Sequence, residues 1–467
     1  MDAVMPPASR EPSPEPAPSH REISSGNVTP TALDGCPLAH VKYRLWRVAL
    51  GYILAFFGGI AYGYSQTFVG GLLNMPKFQV VLLRKSYVKL VKAMVSNFCT
   101  YVNGYMLICS ASVPIGTSIG LIMGIKLQSF CGPKWRLRIG AMLVVMGALC
   151  AIAIPLGIAL GIFFFVIGIG IGNIREVVPI LYKQITPEDV HQRIDNIFDL
   201  AYYVGLVAAL LVNYLVASFF QNGWKVTFIA IAIPAVMLIL ASIVLFLVEV
   251  NEPKVSPRVL LSQHRSVFVS RTLFLLLAQF IGSSQLVFYG PMILESLKFG
   301  SYNHQFLAPL IGCSLGSLTV TFVILYLIPH HRRRQTFFIA CITICVSQIG
   351  IWLLFFFWGS QRHHFKSPFN TIAGVLLMLI YSSYFVIDGP YGWTRKRYPK
   401  AAQGVGSTLE TAIMRFVVGI MNSIVPFLLC LFKKWVFMYL ALVALVYSVI
   451  ALYFVSDDHA KDHIVIV

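Results

Sequence analysis

The stretch that decides the fold is Ile139–Gly172, IGAMLVVMGALCAIAIPLGIALGIFFFVIGIGIG, which runs for 34 residues without a charged side chain. A helix crosses the apolar core of a bilayer with about 20 residues, so this stretch is too long for a single crossing. Pro155 and Gly157 lie near its middle and allow a turn. The segment therefore predicts two consecutive membrane-spanning helices.

The whole chain has the same apolar character. It has 467 residues, of which 57% are hydrophobic and 12% are charged, and its mean hydropathy is +0.77. Soluble domains carry about 25% charged residues, so this composition excludes an ordinary soluble or secreted enzyme. Nine cysteines, mostly inside apolar runs, also exclude a scaffold built from disulfides.

Further apolar runs predict twelve spans in two sets of six. Short basic loops recur at equivalent places in the two sets, at 132–138 and 330–334, and again at 183–195 and 395–400. This repeat predicts an all-α membrane protein with two six-helix pseudo-repeats, the architecture of the major facilitator fold. The predicted spans lie near 48–68, 104–125, 138–156, 159–182, 196–218, 225–248, 272–293, 305–328, 335–357, 369–390, 404–430 and 433–455.

The distribution of basic residues predicts the orientation. The net charge is +18, and most Lys and Arg fall in alternate loops. Because cytoplasmic loops carry an excess of positive charge, both termini of this multi-pass membrane protein are expected in the cytosol. The expected organisation is a disordered tail (1–47), a first half (48–248), a short linker (249–271), a second half (272–455) and a cytoplasmic tail (456–467).

One segment on the outer side breaks this charge pattern. Residues 74–100 place five basic side chains among Val and Leu. An amphipathic helix at the membrane surface explains the pattern. A lid over the outer mouth of a cavity is the functional alternative, and both interpretations stay open.

Several motifs give the chain a resemblance to a known family. They are Gly58–Ser65 followed by Gly70-Gly71; Gly168–Gly172 followed by Val178-Pro179, Tyr182 and Pro187; Asn213-Tyr214 with Gly223-Trp224; Gln279–Gly282 with Phe288–Pro291; and Gly389–Trp393. In order and spacing they resemble sugar porters, over roughly residues 48–455. The resemblance implies transport of hexoses by alternating access, coupled to protons.

Two cysteines narrow the resemblance to plant monosaccharide–proton symporters. Cys99-x-Tyr101-x-Asn103 is similar to the family's C-K-Y-D-N, and Cys430-Leu431-Phe432-Lys433 to its C-H-x-K-F. In that family the two cysteines form a disulfide between the lid and the second half. The resemblance therefore implies a Cys99–Cys430 bridge on the oxidising outer side, and two unpaired buried thiols are the alternative.

The family's proton-coupling pair is missing from this sequence. The Asp position in the first span is Ser65, and the Arg position in the fourth span aligns to Phe164. Loss of both partners together is physically coherent, because loss of one would leave a buried charge uncompensated. Asp199 and Glu410 are the candidate substitute proton sites. The alternative is that they are cavity acids with local partners, as Glu176 beside Arg175 and Glu410 near Arg415 also suggest.

The sugar-binding positions are only partly kept. By resemblance, the substrate-binding residues are Gln279, Ser284, Ser317, Trp393 and Asp199. An amide, hydroxyl groups and an aromatic ring suit a polyol-like solute, with weaker or altered selectivity. The alternative for Gln279 is a hydrogen bond between helices, and for Trp393 it is packing at the membrane interface.

The cytoplasmic gating motifs are altered as well. The family's D-R-x-G-R-R reads Pro329–Arg334, and its acidic partner after the tenth span reads Thr394–Tyr398. We therefore expect basic residues to face basic residues at this end, with Glu249 and Glu252 as the acids of the adjoining linker.

No enzyme motif competes with the transporter hypothesis. The glycines of Gly168–Gly172 lie inside an apolar span, so they predict close helix packing rather than a phosphate loop. We expect no cofactor, metal site or nucleic-acid partner; the expected partners are a small-molecule sugar, protons and the lipid bilayer. Alternative functions are a non-transporting receptor that keeps the fold, an inactive paralogue, and a uniporter of another polyol-like solute.

Overall fold

A computed structural model describes residues 37–73, 75–83, 99, 102–155, 157–219, 223–245, 263–290, 293, 333–358, 367–387, 398 and 400–454. These residues form helices and no strand. The helices are α1 (Pro37–Leu73), α2 (Pro76–Leu83), α3 (Gly104–Leu127), α4 (Pro133–Ala153), α5 (Gly157–Ile185), α6 (Glu188–Phe219), α7 (Trp224–Val244), α8 (Arg265–Phe280), α9 (Ser283–Phe288), α10 (Arg333–Trp358), α11 (Ser367–Ile387), α12 (Lys400–Phe432) and α13 (Trp435–Phe454).

These helices make the chain a multi-pass membrane protein. Within the described ranges, nine helices are long and apolar enough to cross a bilayer, and a shorter apolar helix covers Ile372–Tyr384. The uncharged stretch 139–172 is divided between α4 and α5, as its length predicts. The expected eighth span, 305–328, lies outside the described residues.

Some helices begin or end at residues other than those expected from the sequence. Helix α1 begins at Pro37, so residues 37–47, assigned to the disordered tail, are helical. Likewise α8 begins at Arg265, inside the expected linker 249–271. Of the lid segment 74–100, Pro76–Leu83 is helical, and 84–98 lie outside the described residues.

Helix α5 packs closely against its neighbours in the first half, and glycines line the contacts. It packs against both α3 and α4. A Cβ added at Gly168 would overlap the carbonyl oxygen of Val113, and one at Gly172 would overlap that of Thr117. The predicted close helix packing by these glycines is confirmed, because only a residue without a side chain allows the two backbones to approach so closely.

The seventh predicted span, 272–293, is broken rather than continuous. Gly282 has φ +75° and separates α8 from α9. Glycine adopts this left-handed conformation without a steric penalty. The amide of Gln348 donates to the carbonyl of Ile281 at 2.9 Å, which satisfies a backbone group freed by the break. Interrupted helices of this kind occur where they line a cavity.

The second half has its own packing and one main contact with the first. Helix α10 packs against α11 and α13, and α8 packs against α12. The rings of Phe274, Phe337 and Tyr447 form an aromatic cluster between α8, α10 and α13. Helix α12 also packs along α3, so these two helices join the halves.

The glycine packing predicts the effect of a single methyl group. Gly172→Ala should lower the free energy of unfolding by about 1–3 kcal/mol, because the added Cβ forces α3 and α5 apart. Gly404→Ala is the matched control, since nothing lies within 4 Å of a Cβ at that position. Thermal unfolding of the purified protein measures both, and equal stability of the two variants would contradict the packing argument.

Candidate functional site

A cleft lies where the two halves meet. The cleft is narrow in this conformation: its cavity volume is about 20 Å³, about the space of one water molecule. Helices α1, α3 and α6 contribute one side, and α9, α11 and α12 contribute the other. The lining residues are Gln66, Thr67, Pro114, Leu206, Ser284, Phe288, Tyr384, Val418 and Asn422. Its position between two halves is the one expected for a transported solute.

Hydroxyl and amide groups give the cleft its polar character. Thr67 donates to the carbonyl of Leu206 at 3.1 Å. Asn422 is 2% exposed, and its amide nitrogen donates to the carbonyl of Ser110 at 3.4 Å. The amide oxygen of Asn422 is buried and has no hydrogen-bond partner. An unsatisfied buried acceptor in a cleft is a group that a ligand hydroxyl can satisfy.

Only one of the predicted sugar-binding residues in the described part of the chain lines the cleft. Ser284 lines the cleft, directly after the break at Gly282. Gln279 is buried at the end of α8, and Asp199 is partly buried on α6; neither is among the lining residues. Ser317 and Trp393 lie outside the described residues.

The lining residues that sequence reasoning missed are polar or aromatic groups inside apolar spans. Gln66 directly follows Ser65 in the first-span motif, and Asn422 lies in the otherwise apolar predicted span 404–430. Intramembrane amides usually bind a neighbouring helix or line a cavity, so both positions could have been identified. Nothing in the sequence alone distinguishes Tyr384 from other aromatic residues of its span.

Beside the cleft, two arginines lie over one tyrosine ring. The guanidinium carbon of Arg415 is 5.2 Å from the centroid of the Tyr62 ring, and that of Arg175 is 5.4 Å from it. Arg175 also lies 4.9 Å from the Phe198 ring centroid. Cations are attracted to the faces of aromatic rings, which explains why Tyr62 accommodates both.

Arg415 also joins the two halves by hydrogen bonds. It donates from Nε to the Tyr62 hydroxyl at 2.8 Å and from Nη1 to the Gln66 amide oxygen at 2.6 Å. Both acceptors lie on α1, whereas Arg415 lies on α12. These two bonds therefore connect the first half to the second.

Asp199 lies in a charged group at one end of α5 and α6. Its carboxylate interacts electrostatically with Arg175, Asp195 and Lys183. Lys183 and Asp195 form an ion pair at 3.0 Å, and the Tyr182 hydroxyl donates to Asp195. Asp199 thus has local partners, and its candidate role as a proton site stays a proposal.

Glu410 belongs to a buried ion pair instead. It is 0% exposed, and its Oε1 accepts from Arg271 Nε at 2.9 Å and from the Tyr398 hydroxyl at 2.6 Å. Burial, followed by the bond to Glu410, raises the pKa of Tyr398, so this hydroxyl stays protonated as a donor. These contacts join α8 to α12, and the candidate role of Glu410 as a proton site stays a proposal.

A second buried ion pair lies in the first half. Glu176 pairs with Arg136 of α4 at 2.8 Å. Arg136 is fully buried and also donates to the carbonyl of Gly124 at 2.7 Å. Arg136 and Arg271, two of the basic residues that the sequence assigned to the cytoplasmic side, thus find acids on neighbouring helices. Most of the motif segments 329–334 and 394–398 lie outside the described residues.

The two positions that align with the family's proton-coupling pair hold buried, neutral side chains. Ser65 is 2% exposed and donates to the carbonyl of Tyr62 at 2.6 Å. Phe164 is 0% exposed and packs between the rings of Phe68 and Phe228. An aromatic cluster therefore occupies the place of the buried charge pair.

A disulfide joins the two halves at the opposite end of α12 from Glu410. Cys99 and Cys430 are bonded, with their Cα atoms 4.7 Å apart and 331 positions between them in sequence. Cys99 lies just before α3, which starts after the N-cap Asn103. This is the pairing that the resemblance to plant symporters implied.

Comparisons with known proteins agree with this arrangement. Residues 51–249 match the family model described as sugar (and other) transporter. Sugar transport protein 4 of Arabidopsis thaliana is 22% identical over 440 residues, covering 84% of this chain and 85% of the relative. Sugar carrier protein A of Ricinus communis is 22% identical, covering 83% and 82%.

Solved structures show the same fold. A D-xylose-proton symporter has a TM-score of 0.69 at 18% identity, covering 89% of this chain and 98% of the symporter. The inward-open xylose transporter XylE from E. coli has a TM-score of 0.64 at 17% identity, covering 88% and 97%. The fold is therefore that of the major facilitator transporters. The chain resembles the sugar porters, and plant sugar transport proteins are among its relatives.

The disulfide predicts a measurable stabilisation. Cys430→Ser should lower the free energy of unfolding by about 2–4 kcal/mol, because the bridge restricts the unfolded chain. Cys131→Ser is the control, since Cys131 is a partly exposed free cysteine. Thermal unfolding without reductant compares the two variants. Mass spectrometry that finds both Cys99 and Cys430 alkylated in the non-reduced wild-type protein would contradict the bridge.

Proposed function

We propose that this protein carries monosaccharides, hexoses among them, across a membrane by alternating access. The observation that carries the proposal is the cleft between the two halves, lined by hydroxyl and amide groups from both. The sugar porters among its relatives and structural neighbours support the same function.

The lining groups match the chemistry of a sugar. A monosaccharide presents hydroxyls that both donate and accept, together with an apolar ring face. Asn422 offers an unsatisfied acceptor, Ser284 offers a hydroxyl, and Tyr384 and Phe288 offer aromatic surface. Ligand sites commonly combine mainly apolar walls with a few polar groups that fix orientation.

Alternating access requires contacts between the halves that can break. Near the disulfide, Ser423 donates to the carbonyl of Leu107 at 3.2 Å, and Asn422 bonds Ser110. On the same side, Gly70 packs directly on the carbonyl of Phe288. These contacts close the end of the cleft that faces the disulfide, and they would separate when that end opens.

We assign proton coupling to Asp199. We also place the protein in the plasma membrane, with both termini in the cytosol. Asp199 lies beside Arg175, which contacts Tyr62 next to the cleft. Protonation of Asp199 would change the charge that Arg175 experiences. Transport without proton coupling is the second candidate. It is favoured because Ser65 and Phe164, which stand at the family's two proton-coupling positions, are both neutral.

Uptake of radiolabelled glucose in yeast cells without hexose carriers tests the proposal. We expect uptake that increases at acidic pH and is lost with an uncoupler. Asp199→Asn should abolish both effects, and Glu188→Gln, which removes an exposed acid from the same helix, should preserve them.

Three other results of the uptake experiment would change the proposal. Wild-type uptake that ignores pH and uncoupler would replace symport by facilitated diffusion. Unchanged pH dependence in Asp199→Asn would exclude Asp199 as the proton site. An absence of uptake of any monosaccharide tested, by protein shown to reach the cell surface, would overturn transport and favour a receptor role.

A further inference from the structure

Gln285 is a buried amide whose two polar atoms are both unsatisfied. It lies on α9 and is 0% exposed. Neither its amide oxygen nor its amide nitrogen has a hydrogen-bond partner in the part of the chain that the structure describes. A buried amide without partners costs free energy, and buried polar groups are rarely left in this state. Gln285 also lies outside the motifs that relate this chain to sugar porters, so the resemblance does not explain it.

Gln285 lies beside the cleft. Ser284 and Phe288, on the same short helix, line the cleft. Tyr289 lies one helical turn after Gln285, because its amide donates to the Gln285 carbonyl at 2.8 Å. The Tyr289 hydroxyl donates to the carbonyl of Asn422 on α12. Since residues four apart share one face of a helix, Gln285 lies on the face of α9 that is turned toward α12.

Asn422 presents a further unsatisfied amide group on α12. It is 2% exposed and lines the cleft. Its amide nitrogen donates to Ser110, whereas its amide oxygen has no partner within the described ranges. Together, Gln285 and Asn422 leave two acceptor oxygens and one NH₂ donor group unused. A ligand that satisfies all of them must supply at least two hydrogen-bond donors and one acceptor.

Other buried amides show that this state is not a general property of the fold. Asn213 uses both ends of its amide, as a donor to α1 and as an acceptor from α7. Asn173 is unsatisfied among the described residues, but it lies inside the first half. There a Cβ added at Gly124 would lie 3.2 Å from Asn173 and 2.9 Å from Glu176. An amide at the cleft, unlike Asn173, is placed to meet a solute.

We propose that Gln285 binds the substrate and selects monosaccharides that present two adjacent free hydroxyls. This inference rests on the proposed transport function and specifies the feature of the sugar that is recognised. One hydroxyl would donate to the amide oxygen of Gln285, and its neighbour would accept from the amide nitrogen. The amide oxygen of Asn422 would accept from a further hydroxyl of the same sugar.

The chemistry of a primary amide explains the selection. Its oxygen accepts and its nitrogen donates, and the two atoms are attached to one carbon. Adjacent ring hydroxyls, each of which can donate and accept, form a pair of similar spacing. A sugar that lacks one of them leaves an atom of Gln285 buried without a partner. Sites built to bond a substrate hydroxyl reject analogues without it strongly for this reason.

The cleft must widen before a sugar can reach these amides, since its cavity volume is about 20 Å³ in this conformation. Packing of Gly70 on the carbonyl of Phe288 holds α1 against α9. This contact is non-covalent and would separate during alternating access. Gly282, with its φ of +75°, gives the chain a point at which α9 can change direction relative to α8. Opening at this point would bring Gln285 to the solute.

Equilibrium binding to the purified full-length protein in lipid nanodiscs tests the inference. D-glucose, D-galactose and D-xylose are first compared by scintillation proximity with the tritiated sugars. The sugar that binds most tightly is then competed with its monodeoxy analogues. At least one analogue should bind roughly tenfold or more weakly than the parent sugar, because it leaves an atom of Gln285 unsatisfied.

Variants connect this loss to Gln285. Gln285→Met, which replaces the amide by an apolar chain of similar length, should weaken binding of the parent sugar roughly tenfold. It should bind the parent sugar and the rejected analogue equally. Its ligand-free Tm should equal or exceed that of the wild type, because an unsatisfied buried amide is removed. Gln263→Met, the same change at an exposed glutamine, should leave the affinities and the Tm unchanged.

The results separate this inference from the function on which it rests. Equal binding of the parent sugar and every monodeoxy analogue by the wild type would overturn the selection of hydroxyls and leave sugar transport intact. Discrimination that persists in Gln285→Met would overturn the role of Gln285. If Gln285→Met does not fold, the comparison of parent and analogues on the wild type still decides. A lack of binding by all three sugars to folded wild-type protein would contradict both proposals.

Discussion

Buried arginines need acceptors, and in this structure they connect helices both within and between the halves. Arg136 and Arg271 pair with carboxylates inside their own halves, at 2.8 and 2.9 Å. Breaking a buried ion pair costs about 3–5 kcal/mol, so these bonds hold α4 to α5 and α8 to α12. Arg415 of α12 donates to Tyr62 and Gln66 of α1, in the other half. Alternating access requires that each half stays intact while non-covalent contacts between the halves break.

Glycines and the disulfide also connect helices within and between the halves. Gly168 and Gly172 bring α5 close enough to α3 for backbone contact, which strengthens the first half. The Cys99–Cys430 bridge joins the halves covalently at one end of α12. Separation at that end is therefore limited by the short connection between Cys99 and the start of α3. The other ends of α3 and α12 carry no such covalent link among the described residues.

The sequence predicted the positions of the helices better than the side-chain pairs that connect them. An uncharged run of 34 residues with Pro155 and Gly157 near its middle has few other physical solutions than two helices, and α4 and α5 are found there. Partners depend on helix rotation and packing, which hydropathy does not encode. The ion pairs of Glu176 with Arg136 and of Glu410 with Arg271 join residues far apart in sequence, and nothing in the sequence pattern indicated them. The residues that line the cleft were also predicted only in part. Ser284 was predicted from a motif, but Asn422 and Gln66 were not.

The two halves should each stay rigid and move relative to each other when a sugar binds between them. Double electron–electron resonance, with spin labels introduced through a non-natural amino acid so that the disulfide is kept, measures this motion directly. One pair, at Ser129 and Thr408, spans the halves at the ends away from the disulfide, and a reference pair at Ser129 and Glu188 lies within the first half. A bound sugar should shift the distance distribution of the first pair and leave that of the reference pair unchanged. A distribution unaffected by bound sugar, or an equal shift in both pairs, would contradict this movement of the halves.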